Sequence, residues 1–129
     1  MSIPALSNAE LAVMKLLWKQ DSVTARKIQE ELYPDTAKSQ HGTVQKLLSR
    51  LGKKGFVNCD RTHFIHFFSA KISQDEYYSR ELESLANKLT GGSLAPLITC
   101  FLENNKISQE DMQELRSIMD DYRKDDEGK

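Results

Sequence analysis

Thr43, Gln45, Lys46, Arg50, Lys53 and Lys54 fall within a dozen residues and combine hydroxyl, amide and cationic groups without a single carboxylate. Such a set holds no general base and no activated nucleophile. What it can do is neutralise phosphates and hydrogen-bond to the edges of bases. Ser39 and Gln40 extend it upstream, and Arg61 and His63 extend it downstream. No acidic residue occurs between Asp35 and Asp60, so nothing nearby in the chain cancels the field of Lys38, Lys46, Arg50, Lys53 and Lys54. An ordinary solvated helix mixes Glu with Lys for pairing at i,i+4, and this stretch has no Glu. One other cluster has chemistry-bearing side chains, Cys59 with His63 and His66. Three ligands on one hairpin would still need a fourth from elsewhere to hold zinc, so they read as an interior thiol and two surface imidazoles. No catalytic residue, metal ligand or cofactor is assigned.

The element that must carry the polar set is a helix. Val44, Leu47, Leu48 and Leu51 recur at i, i+3, i+4, i+7 and form one apolar stripe, with the basic residues on the other side. Gly55 follows the last basic residues as a left-handed cap. Two helices precede it. Ser7-Asn-Ala-Glu10 is a capping box that starts a helix at Asn8, with Leu11, Met14, Leu17 and Trp18 on its apolar face to about Lys19. Thr24 caps a shorter helix carrying Ile28 and Leu32, which ends before Pro34. Downstream, Phe56–Asp60 and Phe64–Ser69 are rich in aromatic and β-branched residues, and Arg61-Thr62-His63 between them reads as the turn of a hairpin. Three helices and a hairpin predict a winged helix over residues 1–71, with Arg61 and His63 at the wing tip beside the basic helix.

The second half has a different character. Residues 1–71 carry 11 Lys and Arg against 6 Asp and Glu, whereas residues 72–129 carry 7 against 13. A formal net charge of −1 therefore hides a basic half and an acidic half that stays off a polyanion. Ser73-Gln-Asp-Glu76 opens a helix to about Leu89, Gly91-Gly92 ends it, and Ser93 is expected to cap a helix with Pro96 in its first turn. Ser108–Asp111 opens the last helix, and residues 125–129 are expected to fray. Leu94, Leu97, Ile98, Phe101 and Leu102 on one helix, and Leu115, Ile118 and Met119 on the next, form stripes too large for so thin an architecture to cover. A second copy of the chain is the simplest cover, while the pattern alone fits a core stripe as well as an interface. Cys59 and Cys100 are isolated and read as buried free thiols. No leader pattern and no apolar run of membrane length is present, which excludes a membrane partner and predicts a cytoplasmic protein.

Ser7-x-Ala-Glu10, Met14-x-x-Leu17-Trp18, Thr24-Ala25-x-x-Ile28 and Thr43-Val44-x-x-Leu47-Leu48-x-Arg50-Leu51-x-x-Lys54-Gly55 together resemble the penicillinase-repressor (BlaI/MecI) family of bacterial transcriptional repressors. The resemblance spans about residues 5–120. It implies a mainly α fold, with a winged helix-turn-helix domain at 1–71 and a three-helix dimerisation domain at 72–124. It also implies binding to double-stranded, dyad-symmetric operator DNA as a homodimer, with Thr43 and Lys46 among the residues that approach bases and phosphates. Members of the resistance subgroup carry Lys before that Thr and Trp further upstream, where this chain has Gly42 and Lys38-Ser39-Gln40-His41. They are inactivated by a signal-activated protease at an Asn-Phe bond, and the matching residues here are Cys100 and Phe101. The paired C-x-C motifs of the copper-sensing members are missing. The rival to DNA repression is a winged helix that binds protein or RNA, which a chain without a second copy would favour.

Overall fold

A computed structural model describes residues 5–127, with the side chains of residue 37 and of residues 124–127 outside the description. The chain separates into two compact units, Met1–Leu82 and Glu83–Lys129. Its elements are α1 (Asn8–Lys19), α2 (Ala25–Leu32), a 3-10 turn (Ala37–Gln40), α3 (His41–Lys53), β1 (Val57–Asp60), β2 (Phe67–Ala70), α4 (Gln74–Thr90), α5 (Ala95–Glu103) and α6 (Gln109–Glu127).

Local chemistry fixes the starts of the helices. The Ser7 hydroxyl accepts from the Glu10 N–H at 3.1 Å, and the Glu10 carboxylate accepts from the Ser7 N–H at 2.8 Å, so two donors at the start of α1 are satisfied reciprocally. Thr24 caps α2 through the Lys27 N–H, and Ser73 and Ser108 cap α4 and α6 in the same way. At the end of α3 the chain turns through Gly55 at φ 85°, a left-handed conformation that disfavours a side chain. The Phe56 N–H then returns to the Leu51 carbonyl at 2.9 Å.

The core of the first unit sits where α1, α2 and α3 meet the sheet. Val13, Met14, Ile28, Val44, Leu51 and Phe56 are fully buried there. Tyr77 of α4 closes the cluster, its ring 5.9 Å from Phe56 and 5.7 Å from Trp18, while the Trp18 indole N–H donates to the Ile72 carbonyl at 2.8 Å. The antiparallel hairpin pairs Val57 with Ala70 through to Asp60 with Phe67. A third strand position, not foreseen in the sequence, comes from Val23, which exchanges two backbone hydrogen bonds with Phe68 at 3.0 and 2.7 Å. Three helices, a hairpin and this bridging residue make a winged helix.

The second hairpin strand begins at Phe67 rather than Phe64. The connection from Arg61 to His66 is consequently twice the length of the expected turn. Asp60 accounts for part of this, since its carboxylate accepts from both the N–H and the hydroxyl of Thr62 and starts the loop as an Asx turn.

In the second unit α4 ends at Gly91 and Gly92, both at positive φ. Ser93 does not cap α5. Leu94 takes that position without a side-chain cap, and Ala95 and Pro96 open the helix. The Ser93 carbonyl instead accepts from the Thr90 hydroxyl, which anchors it to the end of α4. α6 continues through Glu127, and of the residues expected to fray, 128 and 129 lie outside the described ones. Neither cysteine is buried. Cys59 is half-buried on a ribbon of only two full strands, and Cys100 is exposed on α5.

Candidate nucleic-acid interface

The apolar and polar sides of α3 separate as the spacing requires. Val44, Leu47, Leu48 and Leu51 are buried against the core, while Thr43, Gln45, Lys46, Arg50 and Lys53 are exposed. The exposed side is cationic and hydroxylated, and the first turn of the helix holds no acidic residue to offset the positive end of its dipole. Among the described residues, no carboxylate pairs with Lys46, Arg50 or Lys53. On α2, by contrast, Arg26 and Lys27 are each tied to a glutamate one turn along. Cations left unpaired on one helical face can serve as an electrostatic site for a polyanion, and the intervening Thr and Gln can add directional hydrogen bonds.

The residues flanking this face occupy distinct places. Ser39 and Gln40 lie in the 3-10 turn, where the Ser39 hydroxyl donates to the Thr36 carbonyl at 2.9 Å. Ser49 is also exposed and, by helical geometry, falls between Gln45 and Lys46 on the outward side, a position a helical wheel would have found. Gly42 is open as well, since a side chain there would meet no protein atom within 4 Å. Arg61 and His63 are exposed on the wing loop, with the His63 ring edge-on to Phe67 at 6.2 Å. The same loop holds Phe64 fully in solvent.

Lys54 separates from the group. Its Nζ lies 2.9 and 3.0 Å from the two Glu10 carboxylate oxygens and donates to the Ala5 carbonyl at 3.0 Å. The Glu10 side chain is only 3% exposed and that of Lys54 29%, so this charge ties the end of α3 to the start of α1 inside the domain. Burial alone would raise the Glu10 carboxyl. Hydrogen bonds from the Ser7 N–H, Lys54 and the Ser7 hydroxyl, with the Lys54 charge, together hold it below its ordinary value. The sequence places Lys54 next to Lys53 but gives no sign of a partner 44 residues away.

On the second unit the expected interface residues are exposed in the single chain, from Ile98 at 36% to Met119 at 68%, with Leu97 half-buried. Cys100 and Phe101 lie within α5, and the Asn104 amide donates to the Cys100 carbonyl at the helix end. Among the described residues no group of three or more His, Cys, Asp or Glu side chains is placed to hold a metal ion. No helix there is long and apolar enough to cross a membrane.

Comparison with known proteins gives a consistent result. A family model described as penicillinase repressor matches residues 6–121. The chain is 32% identical over 121 residues to the penicillinase repressor of Bacillus licheniformis, covering 94% of each. It is 31% identical over 119 residues to the penicillinase repressor of Staphylococcus aureus, covering 92% of this chain and 94% of that one. Among solved structures, the DNA-binding domain of the repressor BlaI matches with a TM-score of 0.50 and 35% identity, over 60% of this chain and 94% of that domain.

Proposed function

This chain belongs to the penicillinase-repressor family, a family of DNA-binding transcription regulators and not of enzymes, and from that premise we propose that it represses transcription as a homodimer seated on a dyad-symmetric operator. The observation that carries the reading is the exposed, acid-free face of α3, backed by a buried apolar face that fixes its orientation. In this reading α3 lies in the major groove of each half-site, with Thr43, Gln45, Lys46 and Arg50 toward the bases and phosphates. Lys53 adds charge at the end of the helix, and Ser39, Gln40, Arg61 and His63 contact flanking phosphates. The apolar stripes of α5 and α6 join two copies, so each bound head holds the other at high local concentration. Repression is relieved when that joint is lost, and one route is cutting by a signal-activated protease between Cys100 and Phe101. The protein works in the cytoplasm beside the chromosome it regulates.

Selection of binding sites from random duplex DNA with the intact protein tests the core of this. The expected product is a palindrome with half-sites about one helical turn apart. Folded Lys46→Ala and Arg50→Ala proteins should bind it more weakly, by about 1–3 kcal/mol where a base contact is lost. Undiminished binding by both variants would refute the assignment of α3.

A further inference from the structure

Gln29 sits in the middle of α2, only 6% exposed. A primary amide in that position is costly unless hydrogen-bonded. Its Nε2 lies 2.9 Å from Nδ1 of His41, the exposed residue that opens α3. An amide nitrogen can only donate, so Nδ1 must accept, and the neutral imidazole then carries its proton on Nε2. Among the described residues nothing else bonds to the ring, which therefore has one nitrogen held by the buried amide and one N–H left over. That N–H belongs to the first residue of the helix whose outward face is cationic, and the first turn of a recognition helix is where side chains reach base edges.

We propose that His41 contacts DNA by donating from Nε2–H to an acceptor on the target, either a guanine N7 or O6 or a phosphate oxygen, and that Gln29 is the positioning residue that fixes its tautomer and ring plane. The assignment rests on the reading of α3 as the DNA-binding helix and adds a buried residue of α2 that touches no DNA. A structural bond between α2 and α3 would use the same 2.9 Å contact but would give no role to the second nitrogen.

Two measurements on the full chain test it. Ring-nitrogen NMR of the free protein should show the Nε2–H tautomer of His41, and Gln29→Leu should give a mixture of both. Binding is then measured to the selected operator, to operators altered one base pair at a time, and to an unrelated duplex. His41→Ala and Gln29→Leu should each lose about fivefold on the operator, the scale of one hydrogen bond, and the double variant should lose no more than His41→Ala alone. If the acceptor is a base, the loss is confined to the operator and the preference at one position per half-site disappears. If it is a phosphate, the unrelated duplex weakens equally. His41→Ala removes an exposed side chain but leaves the Gln29 amide without its partner, so its thermal unfolding is recorded and its binding measured where it is fully folded, which keeps the test valid if Gln29→Leu proves unstable. An Nδ1–H tautomer in the parent, or full operator affinity in His41→Ala, overturns the proposal. A parent protein that binds no duplex at all overturns the underlying reading of α3 and this assignment with it.

Discussion

The two units are built from helices with the same kind of apolar stripe, yet only the first covers most of its stripe. Ser7, Thr24 and Ser73 cap helices in the first unit, and Ser108 caps one in the second. In Met1–Leu82 the stripes of α1, α2 and α3 converge around Phe56, most of their residues buried and Leu11, Trp18 and Leu32 half-buried against the cluster. In Glu83–Lys129, Ala86 is the one buried residue among those described, while Leu94, Phe101, Leu115 and Met119 remain exposed. Periodicity states which face of a helix is apolar and is silent on what covers it. The first unit supplies its own cover, and the second leaves a row of large apolar side chains exposed in the single chain.

The largest effect should come from charging that surface. Phe101, 55% exposed in the single chain, would sit in the joint between two copies, and an unpartnered carboxylate there opposes association. Phe101→Asp should sediment as a monomer and lose operator affinity by about 10²–10⁴-fold, the avidity of the second head. The unfolding of the first unit should not change. A dimeric Phe101→Asp protein with full operator affinity would place the joint elsewhere. The converse substitution sharpens the contrast. Phe56→Ala, in a fully buried position, should cost about 3–5 kcal/mol in denaturant unfolding. Phe101→Ala at monomeric concentrations should stay within about 0.5 kcal/mol of the parent.

A smaller effect probes how the first unit holds its recognition helix. Lys54→Met leaves the Glu10 carboxylate buried without its cation and should cost about 3 kcal/mol near neutral pH. The pH dependence has a definite sign. Because the folded carboxyl is held below its ordinary value of 4.5, its contribution is present above that pH and is lost as pH falls through the lowered value. Removing the ammonium leaves burial opposed only by the Ser7 bonds, so the acid unfolding midpoint of Lys54→Met should move to higher pH. An unchanged midpoint would mean that Lys54 does not hold Glu10 in solution.

What the sequence made legible is what short-range chemistry encodes. The capping residues, the left-handed Gly55 and the split of α3 into apolar and cationic sides each follow from a few neighbouring side chains. The features that escaped depend on residues far apart in the chain. Val23 carries no strand signal of its own until Phe68 is folded beside it, and Lys54 reads as one more surface cation until Glu10 is seen beneath it. The length of the wing loop escaped because Phe64 and Ile65 have strand-like side chains, while the Asp60 turn places them beyond the last ladder pair. Gln29 and His41 carry no pattern individually, and only the packing of α2 on α3 brings an amide donor to a ring nitrogen.

Lys53 and Lys54 offer the finest form of the comparison, since adjacent residues of one type fall on opposite sides of the boundary between binding surface and scaffold. Lys53 is exposed and unpaired among the described residues, so under the proposed reading its contribution would be the release of counterions from DNA. Lys53→Ala should reduce the slope of log affinity against log salt by about 1 for each half-site, with little change at any one base pair and unfolding within about 0.5 kcal/mol of the parent. Lys54→Ala should do the reverse, lowering the unfolding free energy while leaving the salt slope of the folded protein intact. The ammonium of Lys54 is already neutralised by Glu10 at 2.9 Å, so it has no free charge with which to displace a counterion. Titrating both variants against the same operator over a range of salt separates the two roles. If Lys54→Ala flattened the slope and Lys53→Ala did not, the ion pair with Glu10 would have to open on DNA, and the end of α3 would be a moving part of the interface rather than its anchor.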